Sequence, residues 1–265
     1  MRAALPFPGR LVQTAFQRND FTYGVAMYQH GYFQQAAESF EHVIAAKPDN
    51  ADAYYNLGTL NLRGKNYDQA RQYLEQALKL RPNYPEAWNN LGMMAAQQGR
   101  PDEAIQDFQQ SLTQRPNYAT AYLNLGNVYR RQKLFDKAQE SLTRALALQP
   151  DDPETNFSLG MMYAQQSQMQ PALDYLQRAV ELRPNYAEAL NNMGIVFVRQ
   201  QDYSKAEEQF KSGIRVAPRF DQSYLNLARL YAMRGDKENA KAVLRELLRV
   251  EPDNDNAKQA MELLQ

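Results

Sequence analysis

Hydrophobic and small residues recur along this chain with a fixed period of 34 residues. Three residue types follow the period in phase. The prolines are Pro48, Pro82, Pro116, Pro150, Pro184, Pro218 and Pro252. The alanines are Ala36, Ala70, Ala104, Ala138, Ala172, Ala206 and Ala240. The glycines are Gly24, Gly58, Gly92, Gly126, Gly160 and Gly194, with Ala228 in the seventh copy. Such a period predicts a stack of small helical units rather than a single globule.

Within each period the apolar residues form two stripes at helical spacing. We number the positions of a unit from 1 to 34, so that the units are residues 17–50, 51–84, 85–118, 119–152, 153–186, 187–220 and 221–254. Residues at positions 4, 7, 8 and 11 share one face of a first helix, and those at positions 20, 24 and 27 share one face of a second. Small residues at positions 8 and 20 permit a close approach of the two helices. Proline at position 32 lacks an amide hydrogen and disfavours helix before it, so it ends the second helix.

The combination of residues in each unit resembles the tetratricopeptide repeat family. It consists of a large residue at position 4, Leu-Gly at positions 7 and 8, an aromatic residue at position 11, alanine at 20, leucine or an aromatic residue at 24 and proline at 32. The resemblance covers residues 17–254 and implies an all-α fold: a right-handed α-solenoid superhelix of seven helix–turn–helix units. The departures are Asp20 and Asn156 at position 4 and Ala228 at position 8.

The two ends of the chain differ from the repeats. Continuing the register upstream would place Pro6 inside a second helix, so we predict that residues 1–16 are a linker and lead-in. At the other end, four apolar residues share one helical face, whereas their neighbours are polar. These four are Ala257, Ala260, Met261 and Leu264. Residues 255–265 are therefore predicted to form a capping helix that shields the last core.

Composition excludes several classes of function. The chain has 30 basic and 30 acidic residues, and this balance argues against a nucleic-acid or anionic-membrane partner. It contains no cysteine, so we expect neither disulfides nor a thiol nucleophile. No run of about 18 apolar residues is present, so we predict no membrane insertion. The first ten residues do not resemble a signal peptide, and both a cytoplasmic and a periplasmic location stay open.

One face of each first helix does not contribute to the predicted core. It consists of positions 2, 5, 6, 9, 12 and 13, which the family resemblance places along a concave groove. A solvated helix face should be polar, but positions 5, 9 and 12 are mostly apolar. Position 5 is Phe21, Tyr55, Asn89, Leu123, Phe157, Asn191 and Leu225, and position 9 is Val25, Thr59, Met93, Asn127, Met161, Ile195 and Arg229. An apolar stripe with a polar rim predicts an interaction site.

Position 6 of this face is asparagine in five units. A carboxamide offers both donors and an acceptor, so a row of asparagines suits the backbone of an extended peptide. The row is similar to the one in O-GlcNAc-transferase-like repeat arrays. The alternative is that asparagine here belongs to the family consensus and binds no ligand. The predicted peptide-binding residues are Asn56, Asn90, Asn124, Asn192, Asn226, Tyr55, Met93, Leu123, Asn127, Met161, Ile195, Arg63, Arg131 and Arg199.

Charged residues follow two other positions of the same face. Position 13 includes Arg63, Arg131 and Arg199, and position 2 includes Asp52, Glu86, Glu154 and Glu188. One interpretation is that the two rows of opposite charge orient a ligand. The one we favour is that the residues at positions 2 and 13 form ion pairs with each other at the groove edge. The clamp that binds chaperone C-termini in this family expects lysine at position 5. None is found there, so that ligand is not expected.

Little in the sequence points to catalysis. His30 and His42 have no companions at ligand spacing, and no phosphate-binding glycine motif is present. We therefore predict no catalytic residue, no metal and no cofactor. The predicted function is a non-enzymatic scaffold that binds a protein or peptide. The alternatives are the recognition portion of a larger enzyme, glycosyltransferase-like, or of a secretion or pilus-assembly protein, and a self-associating module that forms homo-oligomers.

Overall fold

The computed structural model describes residues 21–264, and every regular element in this part of the chain is an α-helix. The predicted lead-in at residues 1–16 lies outside it. The helices are α1 (Phe21–Gln29), α2 (Phe33–Ala46), α3 (Ala51–Arg63), α4 (Tyr67–Leu80), α5 (Pro85–Gln97), α6 (Pro101–Gln114), α7 (Ala119–Arg131), α8 (Phe135–Leu148), α9 (Pro153–Gln165), α10 (Met169–Leu182), α11 (Ala187–Arg199), α12 (Tyr203–Val216), α13 (Asp221–Met233), α14 (Lys237–Val250) and α15 (Asp255–Glu262). The chain divides after Val128 into two compact units, which are described separately.

The helices occur in pairs that correspond to the sequence period. We call the first helix of each pair the A helix (α1, α3, α5, α7, α9, α11 and α13) and the second the B helix. From α3 onwards, each A helix starts at position 1 of a repeat. The side chains of Asn50 and Asp152 cap two of these starts by accepting the amides of Ala53 and Thr155 at 3.0 and 2.8 Å. Each B helix ends two residues before the proline of its repeat, as α4 ends at Leu80.

The turn between A and B helices always passes through the left-handed region at position 15. Three of these residues are glycines with φ between 71° and 81°, namely Gly31, Gly99 and Gly235. The other four are Lys65, Lys133, Ser167 and Gln201, with φ of 60° or 61°. Glycine adopts this conformation without a steric penalty, whereas the other four carry a Cβ that opposes it.

Close contact between A and B helices forms the centre of each repeat. The alanines at position 20 are fully buried in all seven repeats, and so is the leucine or phenylalanine at position 24. Glycine at position 8 allows this approach: a Cβ added to Gly58 would lie 2.7 Å from Cγ of Leu74. These small residues have the role that the sequence predicted.

The core extends further round the A helix than predicted. Positions 3 and 10 are buried as completely as position 7, whereas Tyr54 and Trp88 at position 4 are only half-buried. The residues at position 10 are Leu60, Met94, Val128, Met162, Val196 and Leu230. Positions 3, 7 and 10 form a second stripe beside positions 4, 8 and 11. The prediction included position 7 but missed positions 3 and 10, because it counted only one face per A helix.

Helix α15 closes the last core of the second unit, as the fold prediction required. Ala257 is fully buried and Leu264 is 9% exposed, and both belong to the apolar cluster around Tyr224 and Leu244. The neighbouring polar residues of α15 are exposed. Leu263 does not join this core, since it is 87% exposed.

Candidate functional site

The position-6 asparagines form hydrogen bonds between neighbouring A helices. In the first unit, Nδ2 of Asn90 donates to Oγ1 of Thr59 at 2.9 Å, and Nδ2 of Asn124 donates to Oδ1 of Asn89 at 3.0 Å. In the second unit, Nδ2 of Asn226 donates to an asparagine of the preceding repeat at 2.9 Å. The sequence prediction treated these donors as free for a ligand, but one N–H of each already stabilises the stack of repeats.

The residue at position 5 of the preceding repeat decides which bond forms. Asn124 and Asn226 follow repeats with asparagine there, and the two carboxamides pair. Asn56 and Asn192 follow Phe21 and Phe157, and a phenyl ring accepts no such bond. Their Nδ2 atoms turn instead to the carbonyl oxygen four residues back in their own helix, in each case at 2.7 Å.

Position 5 therefore has two different roles. Asn89 and Asn191 are buried, with 2% and 5% exposure, so they do not line an open groove as predicted. Tyr55 and Phe157 are half-buried, and each packs on a tyrosine at position 34 of its own repeat. The ring centroids of Tyr55 and Tyr84 are 4.9 Å apart. Those of Phe157 and its partner Tyr186 are 5.1 Å apart.

The acidic residues at position 2 pair with residues that the sequence prediction did not consider. Arg81, at position 31, donates to both carboxylate oxygens of Asp52 at 2.7 Å, and the hydroxyl of Tyr84 donates at 2.8 Å. The bond from Arg81 lowers the pKa of Asp52, whereas burial raises the pKa of Tyr84. Glu154 accepts one bond from Arg183, at 2.6 Å, and one from the hydroxyl of Tyr186.

The favoured pairing between positions 2 and 13 was therefore wrong for these residues. The salt bridge of Glu86 is also to an arginine at position 31, Arg115, at 2.6 Å. A signal in the sequence could have revealed this. The tetrapeptide Arg-Pro-Asn-Tyr occupies positions 31–34 in the same three repeats whose position-2 acids are bound.

The position-13 arginines have other neighbours. The guanidinium of Arg63 lies over the ring of Phe33, 4.2 Å from its centroid. Nη1 of Arg199 donates to the carbonyl oxygen of Ala164 at 2.9 Å. Arg131 is exposed at the end of α7. These three arginines therefore form no row of ion pairs with the position-2 acids along the A helices.

The predicted apolar lining is partly accessible in both units. Met93, Leu123 and Asn127 are half-buried on α5 and α7 in the first unit, and Met161 and Ile195 are half-buried on α9 and α11 in the second. A surface depression of about 550 Å³ lies at the ends of α3 and α5. It is lined by Tyr28, Thr59, Leu62, Arg63, Lys65, Tyr67, Asn90, Met93 and Gln97. In the second unit a depression of about 90 Å³ includes Ile195, Asn226 and Met233.

Other site chemistry is sparse in the described part of the chain. No group of three or more His, Cys, Asp or Glu side chains between residues 21 and 264 could hold a metal ion. His30 and His42 are both exposed. Among the helices described, none is both long and apolar enough to cross a lipid bilayer.

Comparisons with known proteins agree with this architecture. A family model described as the C-terminal domain of cilia and flagella-associated protein 70, a domain of tetratricopeptide repeats, matches residues 22–192. A second model, described as tetratricopeptide repeat, matches residues 197–264. No curated protein sequence gives a significant match.

Several solved structures share the fold. A chain of the Cut9–Hcn1 hetero-tetramer of the APC/C aligns with a TM-score of 0.76 and 19% identity, over 96% of this chain and 50% of that one. This chain thus spans about half the length of that relative. PilW, a type IV pilus biogenesis factor, gives a TM-score of 0.72 and 21% identity over 80% of this chain and 98% of its own.

A third structure, YrrB, is described as a tetratricopeptide repeat protein with an unusual peptide-binding site. It gives a TM-score of 0.52 and 24% identity over 71% of this chain and 97% of its own. At these identities the likenesses show the fold alone. The chain belongs to the tetratricopeptide repeat family, whose fold is that of protein-interaction scaffolds.

Proposed function

We propose that this protein is a non-catalytic scaffold that binds an extended peptide segment of another protein along the A helices. The observation that carries the proposal is the orientation of the position-6 carboxamides by the preceding repeat. Each unit presents such a carboxamide beside apolar side chains: Asn124 in the first and Asn226 in the second. The proposal concerns each unit separately.

The inter-repeat bonds leave the asparagines able to bind a peptide. A carboxamide has two N–H donors and an oxygen that accepts. Asn124 uses one donor on Asn89, and Asn226 uses one on Asn191. The second N–H and Oδ1 of each remain to pair with a peptide carbonyl and amide. Because the bond fixes the side-chain rotamer, a ligand does not have to order it, and this reduces the entropic cost of binding.

Half-buried apolar side chains supply the second part of the site. Met93 and Leu123 flank the asparagines of the first unit, and Met161 and Ile195 flank those of the second. A flexible thioether adapts to different ligand shapes. Neutral carboxamides and thioethers predict a modest affinity, in the micromolar range or about −8 kcal/mol. They also predict a weaker dependence on salt than that of a nucleic-acid binder.

The test separates a ligand contact from a contact within the stack. A fluorescent dodecapeptide selected from a random library is titrated against wild type, Asn124→Ala and Asn89→Ala. Both variants lose the bond between the two asparagines, but only Asn124→Ala loses the peptide contact. We expect Asn124→Ala to weaken binding by about 1–3 kcal/mol and Asn89→Ala to weaken it less. The Asn90→Ala/Asn124→Ala double variant should bind more weakly still.

Equal binding by wild type and the double variant, with both folded by circular dichroism, would contradict the proposal. The ligand would then lie elsewhere, and the asparagines would serve only the stack. Equal losses for Asn89→Ala and Asn124→Ala would show that the stacking bond, rather than a peptide contact, controls affinity.

Self-association is the second candidate. The specific observation is the exposure of two apolar side chains near the end of the second unit: Met233 is 59% and Leu263 is 87% exposed. Leu263 lines a depression of about 380 Å³ together with Leu225 and Ala260. Light scattering of wild type and Leu263→Glu tests it. A monomeric wild type excludes this candidate, and a dimer that Leu263→Glu dissociates supports it.

A further inference from the structure

The 550 Å³ depression of the first unit combines cations with apolar side chains. Arg63 at the end of α3 and Lys65 in the following turn supply two positive charges. Tyr28, Leu62 and Met93 supply apolar surface, and none of the nine lining residues is acidic. The depression therefore has a net positive charge beside an apolar wall.

These two cations differ from the other arginines of the first unit. Arg81 and Arg115 are held by the carboxylates of Asp52 and Glu86 at 2.7 and 2.6 Å. Among the described residues, no carboxylate lies within 4.0 Å of the charged nitrogens of Arg63 or Lys65. Both side chains are exposed, so they are available to an anion from outside.

The apolar wall and the arginine are held in place by the same aromatic ring. Phe33 packs edge-on against Tyr28, with ring centroids 5.7 Å apart, and its face carries the guanidinium of Arg63. A cation fixed over an aromatic face is restrained before a ligand arrives. On the other side, the hydroxyl of Tyr67 donates to Oε1 of Gln97 at 3.3 Å and joins α4 to α5.

We propose that this depression binds a peptide in which a carboxylate side chain lies next to a bulky apolar residue. The carboxylate pairs with Arg63 and Lys65, and the apolar side chain lies against Tyr28, Leu62 and Met93. Charge complementarity carries the choice of partner, since the cavity holds two cations and no acid. The inference rests on the proposed function and names the chemistry that one part of the A-helix face selects.

The chain contains a matched control for the two cations. Arg131 and Lys133 occupy positions 13 and 15 two repeats later. The residues at the positions of Tyr28, Leu62 and Asn90 are there Ala96, Arg130 and Ser158. The control pair thus repeats the arginine and the lysine, with Arg130 as a further cation, but lacks the tyrosine and the leucine. Binding that needs cations and apolar residues together should therefore depend on Arg63 and Lys65 and not on Arg131 and Lys133.

The test variant replaces both cations with the residues that occupy the same positions in the next repeat. Gln97 and Gly99 occupy positions 13 and 15 there, so Arg63→Gln/Lys65→Gly places side chains that this fold already accommodates. Lys65 has φ of 61°, where glycine is favoured over lysine. The gain from glycine at position 65 offsets the lost contact between Arg63 and Phe33, so the variant should be about as stable as wild type, and a thermal melt checks this before binding is compared.

The probes are three pools of fluorescent octapeptides, randomised except for a central Glu-Leu, Gln-Leu or Glu-Ser pair. Fluorescence anisotropy measures each pool against wild type, Arg63→Gln/Lys65→Gly and Arg131→Gln/Lys133→Gly. We expect the Glu-Leu pool to bind wild type at least tenfold more tightly than the other two pools. The first variant should lose this preference, the second should keep it, and added salt should reduce it.

Peptide binding without a preference for Glu-Leu, or an equal loss in both variants, would overturn the inference and leave the proposed function standing. Failure of every pool to bind any form of the protein would overturn both. Dimerisation of the protein alone that Arg63→Gln/Lys65→Gly abolishes would overturn it in favour of a second copy as occupant.

Discussion

The side chain of Asn124 donates a hydrogen bond to Asn89 at 3.0 Å and thereby joins helix α7 to helix α5. Asn226 and Asn191 form the same bond, at 2.9 Å, between α13 and α11. Position 6 thus contributes to the cohesion of the stack as well as to the surface proposed for a peptide. The two contributions can be separated by mutation in these two pairs, because Asn89 and Asn191 are buried whereas Asn124 and Asn226 are half-buried.

The first prediction concerns the energy of this bond. Asn89→Leu and Asn124→Ala should each lower the free energy of unfolding by about 1 kcal/mol. The double variant should lose less than the sum, with a coupling of about 0.5–1 kcal/mol. Urea unfolding followed by circular dichroism measures all three. Asn192→Ala is the control, and it should cost less than Asn124→Ala because Asn192 bonds only to its own helix. If the losses of Asn89→Leu and Asn124→Ala simply added up in the double variant, the result would contradict the bond between the two side chains.

The sequence predicted the helical pairs, the proline stops and the glycine contacts because each rests on a local rule. It could not predict which acceptor each asparagine side chain bonds to, because Asn56 and Asn124 both begin an Asn-Leu-Gly sequence at position 6. Their different bonds depend on Phe21 and Asn89, each 35 residues earlier. The binding of Asp52 by Arg81 also depends on a partner 29 residues away, although the recurring Arg-Pro-Asn-Tyr was visible.

The second prediction concerns the close contact between A and B helices. A Cβ added to Gly160 would lie 2.7 Å from Cγ of Leu176 and 3.1 Å from the carbonyl oxygen of Ala172. Gly160→Ala should therefore destabilise the protein by about 1–3 kcal/mol despite the better helix propensity of alanine. Gly64→Ala is the control: its nearest atom is 3.4 Å away, and it should be neutral or stabilising. Differential scanning calorimetry compares the two, and a Gly160→Ala variant as stable as wild type would refute the contact.

The third prediction concerns the left-handed turn residues. Ser167 has φ of 60°, which costs a residue with a Cβ about 1–2 kcal/mol. Glycine removes this strain but adds chain entropy in the unfolded state, so Ser167→Gly should stabilise by about 0.5–1 kcal/mol. The reverse change, Gly99→Ser, should destabilise by a similar amount. Thermal melts check both changes, and a shift of the same sign in the two variants would contradict the conformation of this turn.

The fourth prediction concerns the dependence of stability on pH. Burial and the nearby Glu103 raise the pKa of Asp107 from 3.8 to about 6. Because the folded carboxyl holds its proton more tightly, its contribution favours folding below about pH 4 and is lost as pH rises through about 6. Asp107→Asn should therefore stabilise the protein at pH 7, by on the order of 1 kcal/mol after screening by solvent.

Urea unfolding of wild type and Asp107→Asn between pH 4 and pH 7 measures this difference. The gain from the substitution should shrink as the pH falls, since wild-type Asp107 becomes neutral as well. A gain that does not change over this range would show that Asp107 does not titrate there.

The most direct measurement of the central claim uses the methionine methyl groups as reporters. Met93 and Met161 lie half-buried at position 9, whereas their neighbours Met94 and Met162 are fully buried at position 10. Methyl NMR of protein labelled with [methyl-¹³C]methionine is recorded during titration with the selected dodecapeptide. If the peptide binds along the A helices, it should shift Met93 or Met161 strongly and their buried neighbours much less. Shifts confined to Met233 and Met261, with none at position 9, would place the ligand at the end of the second unit and contradict the account.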